Sequence, residues 1–599
     1  MAALIGAVVR DHGAAVALVT PGRPDLSYAQ LGHQIEKIVY GLSGAGFGRT
    51  TRIAVAMPDG PEFATAILGV CSAATCAPLN DRLDEEALVR LLVAMRIDAV
   101  LVPEGSESTA VRAARRVAIA LLALRSSPRE RPGTVDLIAG SRRAPAAAEP
   151  PLANDIALLM HTSGTTGAPK IVPLEQWRVA ETARHRVGLW RIDRSDRCLV
   201  ALPLHSSAGI RRALAGLSTG GSIICPGALT GDATIDLLES LAPTQCVAAP
   251  ASYIALLEAL QRRVPRPRHH LKVIWSGTTE MSDAVQARLE REFSVPVILG
   301  YGMTESGSIA QTPFPPARAP AGSVGRATNI DIAIADDAGR LLGPGEQGEI
   351  VVKGPEVFEG YENDGEASRA AFRDGWFRTG DTGRIDRDGF LYLSGRRSDI
   401  VNRGGVKIAP GEIEAVLARH PQVIEAAAFA VVHPTLGQDV AAAVVLRQRV
   451  SESELRSFLR GHLPVFKIPA RIVEMTELPR GPTGKLARAE LALVVAGTAR
   501  AEYDPPVGRE ETEIARIFSE VLQVPGLGRR DNFFDFGGDS LNSMRALAAV
   551  ESALGVSVAP EVLFDHPTVA EFTAAIVAAR SERTAADRPP ALRKIERHT

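Results

Sequence analysis

The sequence predicts a large layered α/β domain, then a small α+β unit, then an all-α helical bundle. Three observations predict it. Strand and helix patterns alternate over residues 27–102 and resume at 156. Glycine-dense, hairpin-like sequence takes over at 321–392, with Gly343-Pro344-Gly345 and Asp388-Gly389 as turns. Beyond a linker carrying Pro505-Pro506, only helical spacing remains. A chain of 599 residues exceeds one ordinary domain, and 46% apolar with 23% charged residues suits several buried cores.

The first helix of the alternating region has Ser27 as its cap and Leu31, Ile35, Ile38 and Leu42 on one face. A strand at 53–57, helices at 63–70 and 87–95 and a strand at 98–102 follow, then an Ala/Pro-rich connector at 144–151 and a strand at 156–161. A smaller mixed unit runs from about 399 to 495. In the last unit Ile514, Ile517, Phe518, Val521 and Leu522 share one helical face, and a helix after Ser540 is expected to turn Leu541, Met544, Leu547 and Ala548 inward. Residues 580–599, charged and carrying Pro589-Pro590, read as a flexible tail.

Composition excludes several classes. Lys plus Arg (67) nearly cancels Asp plus Glu (69), so no overall field draws nucleic acid or an anionic membrane, and neither is expected as a partner. Five cysteines without a C-x-x-C pair read as reduced, buried thiols, not a disulfide scaffold or zinc ribbon. The first nine residues lack a basic n-region, and no run of 18 apolar residues occurs, so a cytoplasmic location is expected.

The strongest local signal is Thr162-Ser163-Gly164-Thr165-Thr166-Gly167-Ala168-Pro169-Lys170, directly after the 156–161 strand. Its glycines let backbone N–H groups face a phosphate, its hydroxyls add donors, and Lys170 adds charge. It is not a Walker A loop, because its glycines stand three apart and Ile171 follows the lysine. Gly216-Leu217-Ser218-Thr219-Gly220 matches the nucleophile-elbow pattern, but it lies between a helix and a strand in the reverse order for a hydrolase.

The loop resembles that of the adenylate-forming superfamily: acyl-CoA synthetases, luciferases and adenylation domains of nonribosomal peptide synthetases. Further motifs follow in that family's order over nearly all of residues 1–495. Tyr301-Gly302-Met303-Thr304-Glu305 resembles the segment whose aromatic packs on adenine, whose threonine contacts the α-phosphate and whose glutamate helps hold Mg²⁺. Thr379-Gly380-Asp381 resembles the ribose-binding motif, with Asp381 accepting from the ribose hydroxyls. Gly395-Arg396-Arg397-Ser398-Asp399 resembles the hinge, with Arg396 on the nucleotide and Ser398 at the pivot. Gly404-Gly405-Val406-Lys407 resembles the start of a mobile lid, placing Gly405 beside a pantetheine tunnel and Lys407 near phosphate. Pro482-Thr483-Gly484-Lys485 resembles the catalytic lysine loop. Joining a carboxylate to AMP builds negative charge at the α-phosphate, which Lys485 and Thr304 would stabilise. By the same resemblance Gly277 belongs to the nucleotide site, and Ser276 and Gly300 to the acid pocket.

Amino-acid-activating relatives pair the substrate ammonium with an aspartate in an F-D-x-S stretch. The matching segment here is Leu202-Pro203-Leu204-His205-Ser206-Ser207-Ala208-Gly209-Ile210, which has no carboxylate, so an acid lacking an α-amino group is expected. His205, Ser206 and Gly209 are its pocket candidates, although His205 stands one place earlier than the histidine of acyl- and aryl-CoA synthetases. Arg211 and Arg212 follow, and one of them could pair with a second carboxylate or polar head group.

Phe533-Phe534-Asp535-Phe536-Gly537-Gly538-Asp539-Ser540-Leu541 resembles the attachment loop of acyl and peptidyl carrier domains, with 4′-phosphopantetheine on Ser540. A helix N-terminus there would favour the phosphate. The expected domains are thus an adenylation domain's large part (1–397), its mobile small part (398–495), a linker (496–509), a carrier (510–579) and a tail (580–599). The resemblance implies ATP, Mg²⁺ and 4′-phosphopantetheine as cofactors. Implied partners are a carboxylic acid, a phosphopantetheinyl transferase and a downstream condensation, ketosynthase or tailoring enzyme. The expected reaction forms acyl-AMP and loads it on Ser540, in nonribosomal peptide or polyketide synthesis. An amino-acid-loading module, a coenzyme A ligase with an appended carrier and an idle scaffold stand as alternatives.

Overall fold

A computed structural model describes residues 1–139, 149–162, 169–226, 229–263, 266–277, 279, 281–315, 317–433, 436–480, 486–497, 504–522, 524, 526–534, 536, 538 and 540–586. Two compact units part at the Ser398–Asp399 peptide.

The first unit is built on two large sheets and a smaller one. A seven-stranded sheet runs, edge to edge, through Asp136–Ala139, Ala120–Arg125, Ala99–Pro103, Arg52–Ala56, Thr75–Leu79, Ile156–Thr162 and Lys170–Glu175. A nine-stranded sheet has Gln245–Ala248 between Arg197–Ala201 and Val273–Ser276, all parallel. Strand alternation explains the layering. Ile53 and Val55 enter one core with Cys198 and Val200 of the other sheet, whereas Ala54 and Ala56 face a second core and Leu199 a third. Helices Tyr28–Gly44 and Pro61–Cys71 bury their apolar residues in the core that both sheets share. Ser27 caps the first of these in a capping box with Gln30, as its sequence indicates. The third sheet, Asp331–Ala335 to Leu391–Arg396, is antiparallel and corresponds to the glycine-dense region. All five cysteines are free and buried.

The second unit holds a sheet led by the hairpin Val401–Arg403 and Val406–Ile408. Its turn residues Gly404 and Gly405 have φ +58° and +93°, a left-handed pair that side chains resist. Helices Gly508–Leu522, Ser540–Leu554, Pro560–Asp565 and Val569–Ala586 follow. Ile514, Ile517, Phe518, Phe533, Leu547 and Phe572 share their core.

Two sequence expectations change here. On helix Ser540–Leu554 the inward face carries Ser543, Ala546, Leu547 and Val550, while Met544 is 55% exposed and Ala548 faces outward. A buried serine on the inner stripe shifted the phase that the apolar residues alone suggest, and the side chain of Leu541 lies outside the described residues. Residues 580–586, read from the sequence as the start of a flexible tail, continue helix Val569–Ala586, with Arg580 paired to Glu510; the rest of that tail, 587–599, lies outside the described residues. Among the described residues no helix is long and apolar enough to cross a membrane.

Candidate active site

At the carboxyl edge of the nine-stranded sheet, Ala201, Ala248, Ser276 and Leu299 stand in register, the usual place for ligands in parallel sheets. The chain then continues through Gly300 and Tyr301 and bulges before Gly302, paired with Gly307–Gln311. The glycines here are close approaches. A Cβ at Gly277 would lie 3.0 Å from Gly300 O, and one at Gly302 only 2.2 Å from Gly307 O.

The bulge presents Tyr301 to the third sheet, where its hydroxyl donates to Asp381 Oδ2 at 2.6 Å. Arg396 Nε approaches the other carboxylate oxygen at 3.1 Å. Asp381 is held from behind, because its N–H donates to Thr379 Oγ1 (3.1 Å), whose hydroxyl donates to Ile350 O (2.7 Å). Burial and the Asp381 charge push the Tyr301 phenol well above its ordinary pKa, so it stays a donor. The structure thus brings together three positions separated by up to 95 residues.

Glu305 is buried, and its Oε1 accepts from the Tyr361 hydroxyl at 3.1 Å. Lys170 lies 4.8 Å from the Tyr361 ring centroid, so that ring connects the lysine that closes the 162–170 segment to the glutamate. Sequence reasoning missed Tyr361; no local motif surrounds it. Arg211 donates to Thr304 O (2.9 Å) and Met303 O (3.3 Å), fixing the backbone of the same segment. Burial first, and then the nearby Arg186 charge, lower its pKa to about 9. Arg186 itself is buried and paired with Glu356 at 2.8 Å.

Ser206 is a helix cap. Its Oγ donates to Pro203 O at 2.6 Å and accepts from Gly209 N at 3.1 Å, starting helix Ser207–Leu217. Gly209 has no room for a side chain, since a Cβ would meet Pro203 O at 2.2 Å. His205 Nε2 and Ser276 Oγ are buried without a hydrogen-bond partner among the described residues. Burial holds His205 down to about 4, and burial with the His205 charge does the same to His161. His161, also missed, ends its apolar strand beside Thr162; a histidine closing such a run was the available signal.

Thr162 and Lys170 face each other as the last pair of a hairpin. Ser163, Gly164, Thr165, Thr166 and Gly167 between them lie outside the described residues, as does Lys485. In the second unit Lys407 pairs with Asn402 across the hairpin, and Gly405 N donates to Asn402 Oδ1 at 3.0 Å. Ser398 lies in the short 3₁₀ turn Arg397–Asp399. Ser540 opens its helix, and Gly538 before it packs so tightly that a Cβ would meet the Phe533 ring at 2.2 Å.

Comparison with known proteins identifies the family. The family model of AMP-binding enzymes matches residues 6–362, that of the AMP-binding enzyme C-terminal domain 412–485, and that of the phosphopantetheine attachment site 512–576. A probable CoA ligase of Humulus lupulus is 32% identical, over 81% of this chain and 95% of its own. An oxalate–CoA ligase of Arabidopsis thaliana is 31% identical, over 80% and 95%. ATP-bound MatB from Rhodopseudomonas palustris superposes with a TM-score of 0.73 at 27% identity, covering 82% of this chain and 98% of that one. O-succinylbenzoate coenzyme A synthetase from Bacillus subtilis, in complex with ATP and magnesium, gives 0.71 at 26%, again over 82% and 98%. The chain belongs to the adenylate-forming superfamily of AMP-binding acid–thiol ligases, and carries a C-terminal carrier domain.

Proposed function

We propose that the enzyme activates a carboxylic acid without an α-amino group as its acyl-adenylate and transfers the acyl group to a phosphopantetheine thiol on its own Ser540. The observation that carries this reading is the presence of both machines in one chain: the Tyr301–Asp381–Arg396 and Glu305 clusters, and a carrier helix opening at Ser540. A tethered thiol meets the adenylate at high local concentration, in place of free coenzyme A.

The residues fit the groups they are asked to hold. The Glu305 carboxylate is buried, accepts one phenol hydrogen bond and forms no ion pair among the described residues, which leaves its charge for Mg²⁺. Bound Mg²⁺ would neutralise phosphate charge. Asp381 would take the ribose hydroxyls, Thr304 the α-phosphate, and Lys485 the charge that builds as the carboxylate attacks phosphorus and pyrophosphate leaves. At the carrier, helical N–H groups after Ser540 suit a phosphodiester.

The acid class rests on residues 202–210, which contain no carboxylate, and on His205, neutral at pH 7. The relatives named for oxalate and O-succinylbenzoate act on acids without an α-amino group. Among the described residues Asp59 accepts from Leu204 N at 2.8 Å, and the Asp81 charge acts on His205. Burial raises the Asp59 pKa, which ill suits an ammonium partner. The carrier domain supports a role as loading enzyme for a peptide or polyketide line, with a phosphopantetheinyl transferase as partner. ATP–pyrophosphate exchange across aliphatic, aryl, hydroxy and amino acids tests the reading. Exchange with amino acids alone would overturn the substrate class, and exchange with nothing the activity.

A further inference from the structure

Tyr361 touches two charges of opposite sign that do not touch each other. Its hydroxyl donates to Glu305 Oε1 at 3.1 Å, and the Lys170 ammonium lies 4.8 Å from its ring centroid. Among the described residues Lys170 and Glu305 form no ion pair with one another. The backbone repeats this arrangement. Phe358 N–H donates to Glu305 O at 2.8 Å, and Glu362 N–H donates to Ile171 O at 2.9 Å, next to Lys170. Residues 358–362 thus strap the chain at Glu305 to the chain at Lys170. The strap is pinned on both sides, Glu356 by the buried Arg186 at 2.8 Å and Glu362 by Arg52 at 2.5 Å.

The ring itself has a fixed seat. Tyr361 N–H donates to Ser368 Oγ at 2.9 Å, and the ring packs edge-on against the buried Phe358, with centroids 4.8 Å apart. Packing alone does not call for a tyrosine, because phenylalanine would fill the same space without setting a hydroxyl on a buried carboxylate. Burial, and then the Glu305 charge, push the phenol's pKa above its ordinary value, so the hydroxyl remains a donor.

The chemistry of the two neighbours supplies a reason. A lysine and a glutamate within reach of one phenol, in a half-buried site, attract strongly. An ion pair between them would use up the charge that each can offer to a ligand. A hydroxyl on the carboxylate and a π-face under the ammonium instead satisfy both groups with neutral contacts, which a metal ion and a phosphate can outcompete. We infer that Tyr361 is a positioning residue that orients Glu305 toward Mg²⁺ and holds Lys170 off it, keeping both charges available to the metal–nucleotide complex. It acts through those two side chains. This rests on the Mg²⁺ role proposed for Glu305 and adds the group that keeps that carboxylate ready.

The test is binding, read apart from turnover, on the full chain as wild type, Y361F, Y361L, E305Q and Y361L/E305Q. Electron paramagnetic resonance of free Mn²⁺, with α,β-methylene-ATP present, reports the metal. Calorimetry of the same nucleotide in EDTA reports metal-free binding. Y361F keeps the ring, so its Mn²⁺ affinity should fall about 10-fold while metal-free nucleotide affinity stays within about 2-fold. Y361L also frees Lys170 to pair with Glu305. Its metal-free affinity should therefore fall about 5- to 10-fold, and Y361L/E305Q should recover it. Wild-type Mn²⁺ affinity in Y361F would overturn the orienting role. A metal-free loss in Y361L that E305Q does not restore would reduce the ring to packing and overturn the separation of charges. E305Q with wild-type Mn²⁺ affinity would instead overturn the metal role of Glu305. Y361F, which differs by one oxygen, decides the inference even if Y361L fails to fold.

Discussion

The Tyr301 hydroxyl and the Asp381 carboxylate meet at 2.6 Å, joining the edge of a parallel sheet to an antiparallel one. The contact fixes the carboxylate's rotamer, while Arg396 holds its second oxygen, which suits the ribose-binding role proposed for Asp381. Preorganisation of this kind lowers the cost of ordering on binding.

Tyr301→Phe keeps the ring and removes the hydrogen bond. Its expected effect is a rise in the KM for ATP of about 3- to 10-fold, equivalent to ~1 kcal/mol, with a smaller change in kcat. Asp381→Ala should lose far more. Exchange kinetics against ATP concentration measure both, and an unchanged KM in Tyr301→Phe would contradict the assigned role.

His205 and His161 titrate near 4 in the folded chain against an ordinary value of 6.5. Between those values the unfolded chain holds protons that the folded one refuses, so stability falls as pH drops through this window and is full above it. Burial of a neutral imidazole therefore costs about 1–2 kcal/mol per group at pH 5. The fall in melting temperature from pH 7 to pH 5 should be smaller in His205→Gln than in wild type. Equal falls would show that the imidazole is not held neutral.

Gly538→Ala places a methyl within 2.2 Å of the Phe533 ring and 2.6 Å of its carbonyl oxygen. The backbone oxygen cannot swing away, so the loop before Ser540 must shift, at about 1–3 kcal/mol. Expected outcomes are a lower carrier melting temperature and slower modification by a phosphopantetheinyl transferase, with exchange retained. Modification at the wild-type rate would show that the loop tolerates the shift.

The motifs proposed to hold the nucleotide were legible because they are contiguous: Tyr301 to Glu305 and Thr379 to Asp381 are short runs, and the structure brings Tyr301 and Asp381 together. What was not legible lies across segments. Nothing near Tyr361 announces its hydrogen bond to Glu305, and the Arg186–Glu356 pair joins residues 170 positions apart. Arg211 and Arg212 are equivalent in sequence, and only the packing of Trp190, Gln245 and Trp275 around the second separates them. The carrier helix was found but its phase was misread, because Ser543 occupies the inner stripe and Met544 does not. Burial depends on what a helix packs against, and polarity is an imperfect proxy for it.

The central claim, that one chain both activates the acid and carries it, is tested most directly by intact mass. Phosphopantetheinylated protein is mixed with ATP, Mg²⁺ and an acid that supports exchange, without coenzyme A. The account predicts a gain of the acyl mass that Ser540→Ala abolishes while keeping exchange, and that Lys485→Ala abolishes together with exchange. An acyl mass that never appears on the wild-type protein, while added coenzyme A is converted to acyl-CoA, would contradict it.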